Sequence, residues 1–162
     1  MSATAPTGTD MAGADTRDMN PAGLCATGPC VTGPCATGLC VAGIGCGSGC
    51  DVHDILALLH DAATRARCRP GVIAIPDFRA DCAALHAAAR QAGLPLHIVP
   101  RHDLLAAQPR CVTRSARAMA ACGVASVAEG CAIAVAGDGA RLVLPRIAYR
   151  RVTCAIARTE HT

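Results

Sequence analysis

Six of the chain's twelve cysteines fall between Cys25 and Cys50. Cys25, Cys30, Cys35 and Cys40 recur every five residues, in the units CATGP, CVTGP and CATGL, and Cys46 and Cys50 follow. Thiolates at this density could hold a soft metal, with Cys46 and Cys50 adding to the set. Zinc sites, however, use pairs two to four residues apart, well separated from a second pair. A five-residue run broken by Gly-Pro turns matches no such site, so no metal site is assigned. The near-identity of the units points to tandem duplication of a short coding segment in a low-complexity tail. Metal or thiol handling by the repeat stays open as another reading, and disulfides as a third.

The second chemical feature is a glycine loop, Gly43-Ile44-Gly45-Cys46-Gly47, continued by Ser48 and Gly49. It follows a short apolar run and precedes a helix. Backbone N–H groups at a helix N-terminus attract carboxylates and phosphates. The loop lacks the Gly-Lys-Ser/Thr of a P-loop and the spacing of a dinucleotide fingerprint, so no cofactor is expected. A tight strand-to-helix turn with no ligand is the plainer reading.

Ser126-Val127-Ala128-Glu129 has the spacing of a capping box, which needs no further role. The same helix start offers N–H donors to a ligand, and Glu129 is a weak candidate for catalysis. Asp77, also a weak candidate, follows the second strand with Arg79, and ligands of open α/β sheets gather at strand carboxyl ends. Arg146, with Arg150 and Arg151 nearby, could meet carboxylates in bidentate geometry. A solvated hairpin explains these arginines equally well.

The histidines suggest little. His53 and His60 lie seven apart on one helix, too far for one metal, and His86, His97, His102 and His161 show no ligand spacing. There is no Lys, so all fifteen basic residues are Arg. Residues 1–50 carry a net charge of −2 and residues 51–162 a net of +5, which together give the overall +3. A basic body favours anionic partners. Nucleic acid is not among those expected: no Arg cluster stands out, and Phe78 and Tyr149 are the only aromatics. No run of about 18 apolar residues predicts a membrane span. The N-terminus lacks the pattern of a secretory signal, so the cysteines are expected to be reduced thiols in a cytoplasmic protein.

Residues 1–38, rich in Ala, Thr, Gly, Pro and Asp without apolar periodicity, are expected to be a disordered tail. The folded domain is expected over residues 39–159. Apolar runs at Leu39–Gly45, Val72–Ile75 and Leu96–Val99 read as strands. They alternate with helices at about Asp51–Arg67 and Asp81–Gln91. The apolar face of the first is expected at Val52, Ile55, Leu56, Leu59 and Ala63. A short helix around His102–Ala107, another at Ala116–Ala121, and a buried one from the Ser126 cap to Ala136 follow. Residues 108–125 are otherwise hard to read. Arg141–Leu144 and Val152–Arg158 read as a closing antiparallel hairpin. The sum is an α/β domain, three layers α/β/α, with a mixed sheet of about five strands.

Four stretches in this order resemble the CobE family, which is similar to the C-terminal domain of CbiG. They are VAGIGCGSGC (Val41–Cys50), DILALL (Asp54–Leu59), GVASVAEGCAIA (Gly123–Ala134) and RLVLPRIAYRRVTCAIAR (Arg141–Arg158). The chain departs from the family at Gly47 and Ser48, where basic residues are common. It has Arg79 and Arg146 where Lys is common, Cys82 where an acid is frequent, and Ile147–Arg151 in place of a small polar turn. The resemblance implies a role in cobalamin biosynthesis. The chain would bind, or assist the processing of, a precorrin or hydrogenobyrinic-type corrin intermediate, an anionic tetrapyrrole, with other pathway enzymes as further partners. The ligand would lie against Gly43, Ile44, Gly45, Cys46, Gly47, Ser126, Glu129 and Arg146. The alternative it implies is a hydrolase that opens a cobalt-precorrin lactone and releases acetaldehyde. Whether the chain is an enzyme is left open by its residues.

Overall fold

A computed structural model describes residues 38–160; the cysteine repeat at Cys25–Cys35 lies outside the described residues. The sheet is built from β1 (Cys40–Cys46), β2 (Val72–Pro76), β3 (Leu96–Val99), β4 (Ala140–Tyr149) and β5 (Val152–Thr159). The helices are α1 (Val52–Ala66), α2 (Ala83–Ala92), α3 (Arg101–Ala107), α4 (Ala116–Cys122) and α5 (Val127–Ala136). Short 3₁₀ turns span Asp77–Arg79 and Gln108–Arg110.

The strand order is β3-β2-β1-β5-β4. β1, β2 and β3 run parallel, while β5 is antiparallel to both β1 and β4. Alternation along each strand sends side chains to two cores. Ala42, Ile44, Ile73, Ile75, Cys154 and Ile156 meet Ile55, Leu58 and Leu59 of α1 and Leu85 and Ala88 of α2. Val41, Ala74, Val99 and Ala157 meet Leu104 of α3 and Cys131, Ala132 and Ile133 of α5. The expected three-layer α/β/α architecture with a mixed five-stranded sheet is the observed one. No single helix among the described residues is long and apolar enough to cross a membrane.

Local signals explain most ends. Asp51 caps α1 by accepting from His53 N–H at 2.7 Å. Gly93 takes the left-handed conformation that ends α2 (φ 66°). Within α1 the buried face is Ile55, Leu58, Leu59 and Ala62. This face is rotated from the expected set: Val52, Leu56 and Ala63 sit at its half-buried margin.

The closing hairpin corrects the expected break at Leu144. β4 continues through Pro145 to Tyr149, leaving only Arg150 and Arg151 as the turn. The pairing slips between Leu142 and Leu144 and again between Leu144 and Ile147. β4 is an edge strand, where a proline at a bulge is tolerated because no ladder N–H is lost. Arg150 turns the chain with φ at 52°. The extension carries Arg146 onto a strand and sets Arg150 and Arg151 at its tip.

Candidate functional site

At the carboxyl ends of β1 and β2 lies a half-open cleft of about 650 Å³. Its floor is the end of β1 and the following loop, Gly45–Ser48. Phe78 and Arg79, from the turn after β2, form one side, and α4 forms another through Ser115, Arg117, Ala118 and Cys122. The hairpin closes it with Arg146, Ala148, Arg150, Arg151 and Thr153. Five arginines line the cleft (79, 117, 146, 150 and 151) and no acidic residue does. The cleft is therefore a concentration of positive charge on an otherwise mixed surface.

The arginines are held differently. Arg151 donates to the Ser48 carbonyl at 2.9 Å and so stitches the hairpin tip to the glycine loop. Arg150 stands 3.8 Å from Asp54 of α1 and over the Tyr149 ring. The Nε of Arg79 is buried with no hydrogen-bond partner among the described residues. A buried guanidinium N–H without an acceptor is costly.

The glycine loop is less open than its sequence suggests. Gly47 N–H already donates to the Arg151 carbonyl at 2.8 Å. Behind the loop, the α1 N-terminus carries its own carboxylate in Asp51. Positive charge in the cleft therefore comes mainly from arginine side chains. Of the residues singled out from sequence, Gly45, Cys46, Gly47, Ser48, Arg79, Arg146, Arg150 and Arg151 line the cleft. Gly43 and Ile44 are in the sheet, where Ile44 is buried and an added Cβ on Gly43 would run into the α5 backbone. Asp77 accepts from Arg101 N–H at the start of α3, at 2.8 Å. Asp77, Ser126 and Glu129 are absent from the lining.

The capping-box expectation is overturned at both residues. Ser126 precedes α5, but its side chain makes no cap hydrogen bond. Glu129 is fully buried and turns away from its own helix N-terminus. Its carboxylate accepts from Val112 N–H (2.8 Å), Thr113 N–H (2.9 Å), the Thr113 hydroxyl (2.5 Å) and Arg146 N–H (2.9 Å). Burial alone would raise its pKa. The Thr113 hydroxyl and the backbone N–H groups of Thr113, Arg146 and Val112 outweigh that and hold it below the ordinary carboxylate range. Glu129 thus ties the bulge of β4 to the strand of chain that leads into α4, two walls of the cleft.

Gln108, which sequence reading passed over, does the capping. Its Oε1 accepts from Ala125 N–H and Ser126 N–H at 2.9 and 3.1 Å. Its Nε2 donates to the carbonyls of Leu104 and Ser126. A glutamine 18 residues before the helix it caps has no local signature. Gln108→Leu is expected to lower stability by about 2–3 kcal/mol by stranding these backbone groups, read as a fall in the denaturant midpoint at unchanged m-value.

The family described as Cobalamin synthesis G C-terminus matches residues 40–157. Among solved structures, CobE, a protein from the cobalamin (vitamin B12) biosynthetic pathway, is 30% identical with a TM-score of 0.71. That match covers 76% of this chain and 92% of CobE. The cobalamin biosynthesis protein chiG from Agrobacterium tumefaciens is 36% identical with a TM-score of 0.63, covering 76% of this chain and all of that one. A cobalamin biosynthesis protein G homolog from Sulfolobus solfataricus shares the fold, with a TM-score of 0.53 at 20% identity over 38% of its length. A search of curated proteins finds no match. With the matched segment running from the first residue of β1 into β5 and taking in every helix between, the chain belongs to the cobalamin synthesis G C-terminal family.

Proposed function

We propose that this cobalamin biosynthesis protein binds an anionic corrin intermediate in the arginine-lined cleft. The observation that carries the reading is the five-arginine, acid-free lining. Corrin intermediates are ringed by carboxylates on an apolar macrocycle. Guanidinium groups match the carboxylates with paired N–H donors. The macrocycle would lie on the aliphatic and small residues between them, with Phe78 at one edge. The Arg79 guanidinium, at the side of the cleft, gives one specific place for a ligand carboxylate.

Binding and hand-on is favoured over lactone hydrolysis. A hydrolase needs a base with a free lone pair facing the substrate. Glu129 receives four donors, and neither it nor Asp77 lines the cleft.

The test is a visible-absorbance titration of the protein with a hydrogenobyrinic-type corrin, beside Arg79→Ala and Arg146→Ala. A saturable band shift is expected, weakened about tenfold by each substitution, the size of one charge-assisted contact. Affinity should also fall with rising salt. The Arg146 backbone N–H that meets Glu129 survives in the alanine variant, so the loss reports the side chain. Absence of a shift with any intermediate would sink the reading. Acetaldehyde release on separate incubation with a cobalt-precorrin lactone would place the chain among the hydrolases instead.

A further inference from the structure

Three cysteines that are scattered in sequence converge beside the cleft. The sulfurs of Cys46, Cys50 and Cys82 all lie within 4.8 Å of one another, and those of Cys50 and Cys82 are 3.6 Å apart. Cys46 ends β1, Cys50 immediately precedes the Asp51 cap of α1, and Cys82 is the N-cap residue of α2. All three are partly buried and carry free thiols. We propose that Cys46, Cys50 and Cys82 form a binding site for one thiophilic d¹⁰ cation, Zn²⁺ or Cu⁺.

The geometry suits one ion. At a metal–sulfur distance of about 2.3 Å, three sulfurs around a common centre stand about 3.8–4.0 Å apart. The 3.6 Å between Cys50 and Cys82 and the 4.8 Å limit on the other separations are close to that spacing, so small side-chain adjustments would load the site. Three thiolates select soft cations over Mg²⁺ or Ca²⁺. Three thiolates satisfy three-coordinate Cu⁺; Zn²⁺ would keep an open fourth position, and Cys46 lines the cleft, which gives that position an entry path.

The electrostatics favour the thiolate at Cys82 and oppose it at Cys46 and Cys50. The N-termini of α1 and α2 converge here, and helix N-termini stabilise negative charge. Burial would push the Cys82 thiol up, but donors including the Leu85 and Ala84 N–H groups and the neighbouring thiols outweigh it and lower its pKa. Burial and the other thiols push Cys46 up, with Arg79 acting in the opposite direction. A cation bound by all three sulfurs would displace the thiol protons. Arg79 offsets part of the negative charge that three thiolates leave on the loaded site.

The test is made on the full chain carrying Cys25→Ser, Cys30→Ser and Cys35→Ser, so that thiols of the repeat do not compete. Co²⁺ serves as the optical probe, followed by displacement with Zn²⁺. Cu⁺ is tested separately against a chromophoric chelator. One equivalent of Co²⁺ is expected to give thiolate charge-transfer bands and the visible bands of a low-coordinate site. Cys82→Ser should weaken binding of the favoured cation by about 100-fold or more. Serine is a good N-cap, so this variant keeps α2 and the fold, which circular dichroism would verify. His60→Ala, which removes an exposed imidazole outside both the cluster and the cleft lining, should leave binding intact. Failure of both Zn²⁺ and Cu⁺ to bind, or equal binding by Cys82→Ser, would overturn the proposal. Cys82 is not part of the cleft lining, so this outcome is independent of corrin binding.

Discussion

Replacing Glu129 with alanine is expected to lower stability by about 3–5 kcal/mol, allowing about 1–3 kcal/mol for each stranded donor and some recovery by water. The side chain is fully buried and receives three backbone N–H groups and the Thr113 hydroxyl. Against a total stability of about 5–15 kcal/mol for a typical domain, this is a large share. Glu129→Gln preserves volume but turns an NH₂ group toward N–H donors, and is expected to recover little. Chemical unfolding of the two variants beside the parent checks both statements. A loss below 1 kcal/mol in the alanine variant would contradict the hydrogen-bond assignment.

The same residue fixes a pH dependence. Its carboxyl pKa in the folded protein lies below the ordinary value, which is about 4.3 in an unfolded chain. Between those two values the unfolded state binds the proton and the native state does not. The stabilisation is therefore complete above the unfolded value and is lost as pH falls through the folded one. The stability gap between parent and Glu129→Gln should be constant near neutral pH and narrow below about pH 4. Because Glu129 holds the backbone of Arg146 and the approach to α4, surviving folded variants should also bind cleft ligands more weakly, without any ligand contact being lost.

The first half of the domain was readable because its signals are local. Short apolar runs at Val72–Ile75 and Leu96–Val99 end at Pro76 and Pro100, and Gly93 stops α2. The stretch from Gln108 to Ala125 was not readable, because partners distant in sequence shape it. Gln108 caps α5, and Glu129 holds Val112 and Thr113. The Ser126–Glu129 spacing is that of a capping box, yet α5 is buried on nearly every side. In that setting the carboxylate finds tertiary donors before it finds its own helix end. The thiol cluster was hidden for a topological reason. Cys50 and Cys82 are 32 residues apart, and only the parallel pairing of β1 with β2 brings the helices that follow them together. The arginines were visible as residues, but their convergence depends on a hairpin longer than its proline suggested.

Gly43→Ala is expected to cost about 3 kcal/mol or more, whereas Gly47→Ala should leave folding nearly untouched. Both glycines belong to one short segment, so the contrast separates packing from the cleft. A Cβ on Gly43 would drive into the Ala128 carbonyl and the Ala132 nitrogen of α5. Those are backbone atoms, so relief requires moving the helix off β1. Gly45 is intermediate: its Cβ would meet the Thr153 hydroxyl at 2.7 Å and the Val127 side chain at 3.2 Å. At Gly47 the nearest atoms are 3.8 Å away, on Arg151, which is ordinary contact. An added methyl there projects where the cleft floor and the hairpin tip meet. Its effect should appear in corrin affinity and not in the unfolding midpoint. Unfolding curves and ligand titrations on the two alanine variants decide the matter. If Gly43→Ala proved as stable as the parent, the close approach of α5 to β1 would be wrong, and with it the placement of Glu129 against β4.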